Sequence, residues 1–218
     1  MLVVAPDFDR RIDLPGAGLC PRPVDIDRSK AALERLVSLR VYSFASGVEI
    51  DGEAEGDEVF IVLMRGAATI AVAKDGIGLG TFTLGEVGED RVIYMPPHAS
   101  YHLTAVSNCD IAYARCDPAG EPAPVRAFAP VASSVSISGH AGGMELSLAR
   151  VAPGTRSIAS GGGSPERFVH VRGDGGLLRL GGGALGDWGS AILLQGDTEI
   201  AEIEGNSIDI LMISATAR

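Results

Sequence analysis

Basic residues are in short supply here: 18 Lys and Arg stand against 28 Asp and Glu, a formal net charge of −10. Nucleic acid and anionic lipid both require basic patches, so neither is expected as a partner. Moderate acidity names no cationic partner either, since it also serves solubility. Cysteine is as sparse. Cys20, Cys109 and Cys116 have no metal-ligand spacing, and an odd, small number without a secretory leader reads as reduced thiols in a cytoplasmic protein. The opening MLVVAPDFDRR has its acids early and too short an apolar run for a signal segment. No stretch reaches the roughly 18 continuous apolar residues that a spanning helix needs.

What the chain does have is punctuation. Its 29 glycines and 12 prolines are scattered, which marks many turns between short elements and an all-β protein. Residues 1–27 read as an irregular N-terminal arm. Residues 29–40 (SKAALERLVSLR) carry the single helical pattern, with Ser29 as cap and Ala32, Leu33, Leu36 and Val37 on one face. From Val41 strand-like segments follow at short intervals up to Cys116. Pro118, Pro122, Pro124 and Pro130 then interrupt residues 117–130, a connector that cannot enter a sheet interior. Strands resume over 131–218.

The two halves, 28–116 and 131–218, repeat one another. Gly47 and Gly66 are 19 residues apart, as are Gly154 and Gly173. Each interval holds a glutamate that starts an apolar strand, Glu58-VFIVLMR and Glu166-RFVHVR. Early landmarks are offset by 107 residues and the late pair Asn108 and Asn206 by 98, so the second copy is shortened by about one loop. A repeat of this length is a domain duplication, and strands at this spacing point to double-sheet barrels.

These residues resemble the cupin superfamily. PGTRSIASGGGSPERFVHVRG is similar to the first cupin motif, with Gly154, Glu166 and Gly173 in its frame, and LLQGDTEIAEIEGNSID is similar to the second, with Gly196 in place. Over roughly 38–120, EVFIVLMRGAATIAV and the "YxPP…Y…TA" run of RVIYMPPHASYHLTAV resemble the bicupin isomerases, 5-deoxy-glucuronate isomerase and 4-deoxy-L-threo-5-hexosulose-uronate ketol-isomerase. The resemblance implies tandem jelly-roll (double-stranded β-helix) barrels and an aldose–ketose isomerisation in carbohydrate metabolism. It also implies a divalent metal (Zn, Mn, Fe or Ni) that polarises a carbonyl while a base moves a proton.

The ligand positions of that frame are degenerate. In the second half the paired-histidine position falls near Ser157-Ile158-Ala159, and the second-motif histidine falls on Thr198 or Glu199. Glu166 remains, and His170 lies an even number of residues along the same strand. Glu166, His170 and Glu199 are therefore expected to share a barrel interior, as a polar metal-free lining or as a poor metal site. In the first half the pair becomes Glu49-Ile50-Asp51, the glutamate is Glu58 and the second-motif position is Tyr101. His98 stands at a turn-glycine position. His102, one residue past the ligand position, points outward, or in a shifted register points inward with Glu49 and Asp51. Glycine runs 161–163 and 181–183 lack a following Lys-Ser/Thr pair and read as hairpin turns. Cys109 and Cys116, on opposite strand faces, and Trp188 read as packing residues. Three functions compete: a metal-dependent deoxy-uronate isomerase, a non-catalytic bicupin holding a small polar or sugar-acid ligand, and a homodimeric scaffold.

Overall fold

The structure, a computed structural model, describes residues 2–86, 89–130, 134–141, 143–152, 154, 166–172, 176–180, 183–184, 191–195, 201–205 and 208–215. Every regular element in them is a strand. The amino-terminal part gives β1 (Leu2–Val4), β2 (Arg11–Leu14), β3 (Gly18–Pro21), β4 (Val24–Asp27), β5 (Leu36–Phe44), β6 (Glu49–Glu53) and β7 (Glu58–Arg65). Next come β8 (Ala68–Lys74), β9 (Ile77–Leu84), β10 (Val92–Met95), β11 (Ala99–Ala105), β12 (Cys109–Cys116) and β13 (Arg126–Phe128). The remainder is β14 (Ser134–Ala141), β15 (Met144–Val151), β16 (Glu166–Arg172), β17 (Gly176–Leu180), β18 (Gly183–Ala184), β19 (Ala191–Gln195), β20 (Ala201–Gly205) and β21 (Ile208–Ala215).

The helix expected over 29–40 is absent. Asp27 takes the capping role, accepting hydrogen bonds from the Ser29 amide (2.9 Å) and hydroxyl (2.5 Å), and its carbonyl accepts from the Lys30 and Ala31 amides. The chain then extends into β5. A helix would bond the amides of residues 34–36 internally. Here a side chain from the other half accepts all three, and Leu36, Leu39 and Val41 are buried against a neighbouring sheet.

Two six-stranded sheets form the centre. One runs β13-β10-β7-β12-β5-β4 and the other β1-β19-β16-β21-β15-β14, the same order position by position. The duplication read from the sequence is thus repeated in strand order. The expected connector supplies β13 as an edge strand of the first sheet, and the amino-terminal arm supplies β1 at the corresponding edge of the second. The ladders also refine the repeat. Asp110 lies opposite Ser43 and Arg65, and Asp209 lies opposite Arg150 and Arg172. The late offset is therefore 99, one more than the asparagines suggest.

The first six-stranded sheet is buried on both faces. One face packs with the four-stranded sheet β6-β11-β8-β9 around Val59, Ile61, Leu63, Ile70, Leu103 and Ile111, the interior of the first barrel. The β2–β3 hairpin leans on this interior through Leu14, Ala17 and Cys20. The opposite face, with Phe60, Val62 and Met64, packs on Leu146, Leu148, Phe168, Leu211 and Ile213 of the second sheet. Cys109 and Cys116 fall in different clusters, as strand parity expects. Among the described residues no helix is long and apolar enough to cross a membrane.

Candidate functional site

The two motif glutamates face each other's half. On β7 the even positions Glu58, Phe60, Val62 and Met64 point to the interface between the six-stranded sheets, while Val59, Ile61 and Leu63 point into the first barrel. Glu58 is fully buried, and its Oε2 accepts the amide of Gly143, at the start of β15, at 2.6 Å. Its Oε1 accepts the Tyr94 hydroxyl at 3.2 Å. Glu166 mirrors it. Its carboxylate accepts the amides of Glu34, Arg35 (2.9 Å) and Leu36 (2.7 Å), at the start of β5. Each glutamate thus accepts backbone amides from the other half, one just before β15 and three at the entry of β5, a need that burial makes strict. Glycine is required at 143, because a Cβ there would stand 2.6 Å from the Asp117 carbonyl and 2.8 Å from Glu58 Oε2.

Burial, opposed by the Gly143 and Tyr94 hydrogen bonds and by Arg35, holds the Glu58 carboxyl above its ordinary value of 4.5. A raised folded-state value means that the stability Glu58 contributes is fully present below the unfolded value and is lost as pH rises through the folded one. The cost of Glu58→Gln, read from urea unfolding, is therefore expected to be largest in acid and to shrink towards neutrality. A cost that grows with pH contradicts this assignment.

His170 shares a face with Glu166 and Phe168, as parity predicts, but that face does not line a barrel interior. His170 is buried at the junction of the halves beside Phe8, Pro23, Val41 and Ser43. Two residues on, Arg172 donates from Nε to Asp110 at 2.8 Å, and Asp110 also accepts the Ser43 hydroxyl at 2.7 Å. Asp209, at the matching place, accepts two bonds from Arg150 at 2.8 and 3.0 Å. The pairs made by the buried carboxylates of Asp110 and Asp209 were missed in the sequence, where both look like turn-adjacent acids. Glu199, Thr198, Trp188 and the Ser157-Ile158-Ala159 position lie outside the described residues, as do glycines 161–163, 173 and 196.

In the first barrel the inward position of β11 is taken by Tyr101. Its ring lies across Gly52, where a Cβ would come within 2.4 Å of it, and meets Tyr113 at 6.0 Å between centroids. Tyr113 donates to the Glu53 carbonyl at 3.1 Å, and burial pushes its phenol up to about 12. Burial likewise raises Tyr101 well above the usual tyrosine value. Beyond them Arg115 is held by Glu55 (2.6 Å) and Asp57 (2.7 Å). The barrel interior is thus filled by apolar side chains and tyrosine rings.

His102 points outward, which settles the register left open by the sequence. Its neighbours Ala99, Leu103 and Ala105 are buried, and its cross-strand partner is Asp51, also outward. Nδ1 of His102 and Oδ1 of Asp51 lie 2.8 Å apart on the outer face of the four-stranded sheet. Glu49 is exposed on the same face of β6, and His98 sits in a turn with φ +65°, the glycine-like conformation expected there. Beside the His102–Asp51 pair an open trough of about 740 Å³ runs over the sheet. Small residues Ala71, Ala73, Gly78 and Gly80 line it, with Glu53, Ser100 and Thr81 supplying polar groups and Pro15 of the β2–β3 hairpin reaching its rim. Ser100 had a readable signal: it lies two positions before His102 on one strand face.

These side chains fit a cupin metal poorly. No group of three or more His, Cys, Asp or Glu among the described residues could hold an ion. Glu58 and Glu166 are engaged by backbone amides, His98 and His102 lie on the outside, and His170 lies at the junction.

A model of the KduI/IolB family matches residues 21–144. No curated protein sequence matches the chain. Among solved structures, an IolB-like protein from Salmonella typhimurium superposes with a TM-score of 0.67 at 16% identity, over 89% of this chain and 88% of the other. Protein Ylba from E. coli gives 0.72 at 15% identity, over 99% and 90%. An oxalate decarboxylase from Bacillus subtilis gives 0.70 at 11%, over 100% and 78%. At such identities the likeness carries the fold alone: tandem cupin barrels.

Proposed function

The chain belongs to the KduI/IolB family, and from that premise we propose that it is a sugar-isomerase-like cupin that binds a small polyhydroxylated ligand without a metal. The observation that carries this reading is the engagement of both motif glutamates by backbone amides of the opposite half. A carboxylate committed to buried amides is a poor ligand for a second cation. The trough over the four-stranded sheet brings together Asp51 and His102, two of the residues singled out from the motif frame. Its size is within the range of small-molecule sites.

The test is thermal unfolding of chelator-treated protein against a panel of sugars and sugar acids. At about a hundredfold excess over Kd a ligand of the native state adds roughly 2.7 kcal/mol, which raises Tm by about 5–10 °C in a chain of this size. Binding without turnover is the expected outcome. Interconversion of a deoxy-uronate that begins on adding Zn, Mn, Fe or Ni and stops on chelation would restore the isomerase reading.

A further inference from the structure

We infer that the β2–β3 hairpin is a hinged cover: it lifts off the first barrel as one unit while the barrels stay folded, and uncovers the tyrosine-lined mouth beneath it. Cross-strand pairs from Arg11–Pro21 to Leu14–Gly18 hold the hairpin together, and it adds to no other sheet. Gly16 and Gly18, at φ +83° and +70°, close its turn. At its base the Arg22 amide donates to the Arg10 carbonyl at 3.0 Å, and the Asp7 amide donates to the Pro23 carbonyl at 2.9 Å. Among the described residues, by contrast, no hydrogen bond or ion pair joins residues 11–21 to the barrel.

What holds the cover down is apolar contact. Alternation turns Arg11, Asp13 and Leu19 outward, Leu19 to 73% exposure, and turns Leu14 and Cys20 towards the barrel. Leu14, Ala17 and Cys20 pack on the interior cluster, whose half-buried members include Tyr42, Val48 and Tyr101. Pro15, in the hairpin's turn, stands at the hollow lined by Gly52, Val72 and Tyr101. Contact of this kind is non-directional and scales with the area covered, which three side chains keep small. A lone two-stranded hairpin is marginal in water, so neither strand stays behind when the other leaves. Segments held by few buried apolar contacts open without global unfolding. The hinge is Pro21-Arg22-Pro23. Arg22 donates to Asp25 at 3.0 Å and lies over the Tyr42 ring, 6.0 Å from its centroid, and so stays with the barrel while the hairpin moves. Opening needs no ligand in the trough and is independent of the sugar-binding reading.

Three thiols report on it. Cys20, 3% exposed, is buried by the docking of its own hairpin, whereas Cys109 and Cys116, 1% and 0% exposed, lie on β12 between β7 and β5. The full chain is labelled with iodoacetamide, without and with low urea, and each thiol is followed by peptide mass spectrometry. Cys20 should react roughly a hundredfold faster than Cys109 and Cys116, yet about a hundredfold slower than a free thiol. Its urea dependence should be shallower than theirs, because lifting the hairpin exposes little surface. Leu14→Ala, on the other strand of the hairpin, should speed Cys20 about tenfold and leave the other two thiols unchanged. Cys20 reacting only in step with Cys109 and Cys116, with their urea dependence, would overturn the cover, since the hairpin would then leave only on global unfolding. Free-thiol reactivity at Cys20 would overturn it from the other side, by showing that the hairpin does not close. A Cys20 rate unmoved by Leu14→Ala would overturn the unit and leave β3 fraying alone.

Discussion

Glu166→Ala is expected to destabilise the protein by about 3–5 kcal/mol, a large part of the roughly 5–15 kcal/mol that holds a domain folded. Three amides, those of Glu34, Arg35 and Leu36, lose a charged acceptor at once. They belong to the entry of β5. Each buried donor left unmatched costs roughly 1–3 kcal/mol, less where water can enter. Glu166→Gln keeps one acceptor oxygen and the shape, so about half of the loss is expected. The measurement is the urea midpoint at constant m. A change under 1 kcal/mol in the alanine variant would show that the contact contributes little.

Asp110→Ala is expected to cost about 3–5 kcal/mol, because it removes a close carboxylate from a buried guanidinium. Arg172 and Asp110 are 11% and 7% exposed, and Arg65, the other nearby guanidinium, is 3.7 Å away and half exposed. Removing Asp110 takes away the carboxylate that meets the Arg172 guanidinium at 2.6 Å in the junction. Arg172→Ala alone frees a carboxylate that Ser43 and Arg65 still serve, and should cost less. The double variant should be more stable than the sum of the single effects predicts, by about 1–3 kcal/mol. Strict additivity in that cycle would mean that the two side chains do not act as a pair.

Strand content, duplication and the cupin resemblance were legible because they depend on short-range signals: glycine and proline punctuation and period-two patterning. The direction in which Glu58 and Glu166 point was not. A strand with one wet face announces its inner side by alternation, but β7 is buried along Glu58–Met64 on both sides, and such a run carries no inside or outside label. Parity correctly grouped Glu166 with His170, yet could not say that their shared face meets the other half. On β11 the alternation was readable, and it left only a one-residue register question at His102, which the pairing with Asp51 answers. The false helix at 29–40 arose from a long-range partner: local propensity favoured a helix, and a carboxylate 130 or more residues away took its amides. The trough residues Ser100, Thr81, Gly78 and Gly80 carry no motif, and only the pairing of β8, β9 and β11 assembles them.

The central assignment, that Glu58 and Glu166 fasten the two halves and bind no metal, is tested most directly by one set of melting curves. Wild type, Glu58→Ala and Glu166→Ala are unfolded in chelator and again with millimolar Zn or Mn. Fastening predicts that both variants melt well below wild type by the same margin with or without metal, and that metal leaves wild type unmoved. A wild-type Tm that rises with metal, and a rise that disappears in either glutamate variant, would contradict it and return that glutamate to a metal site.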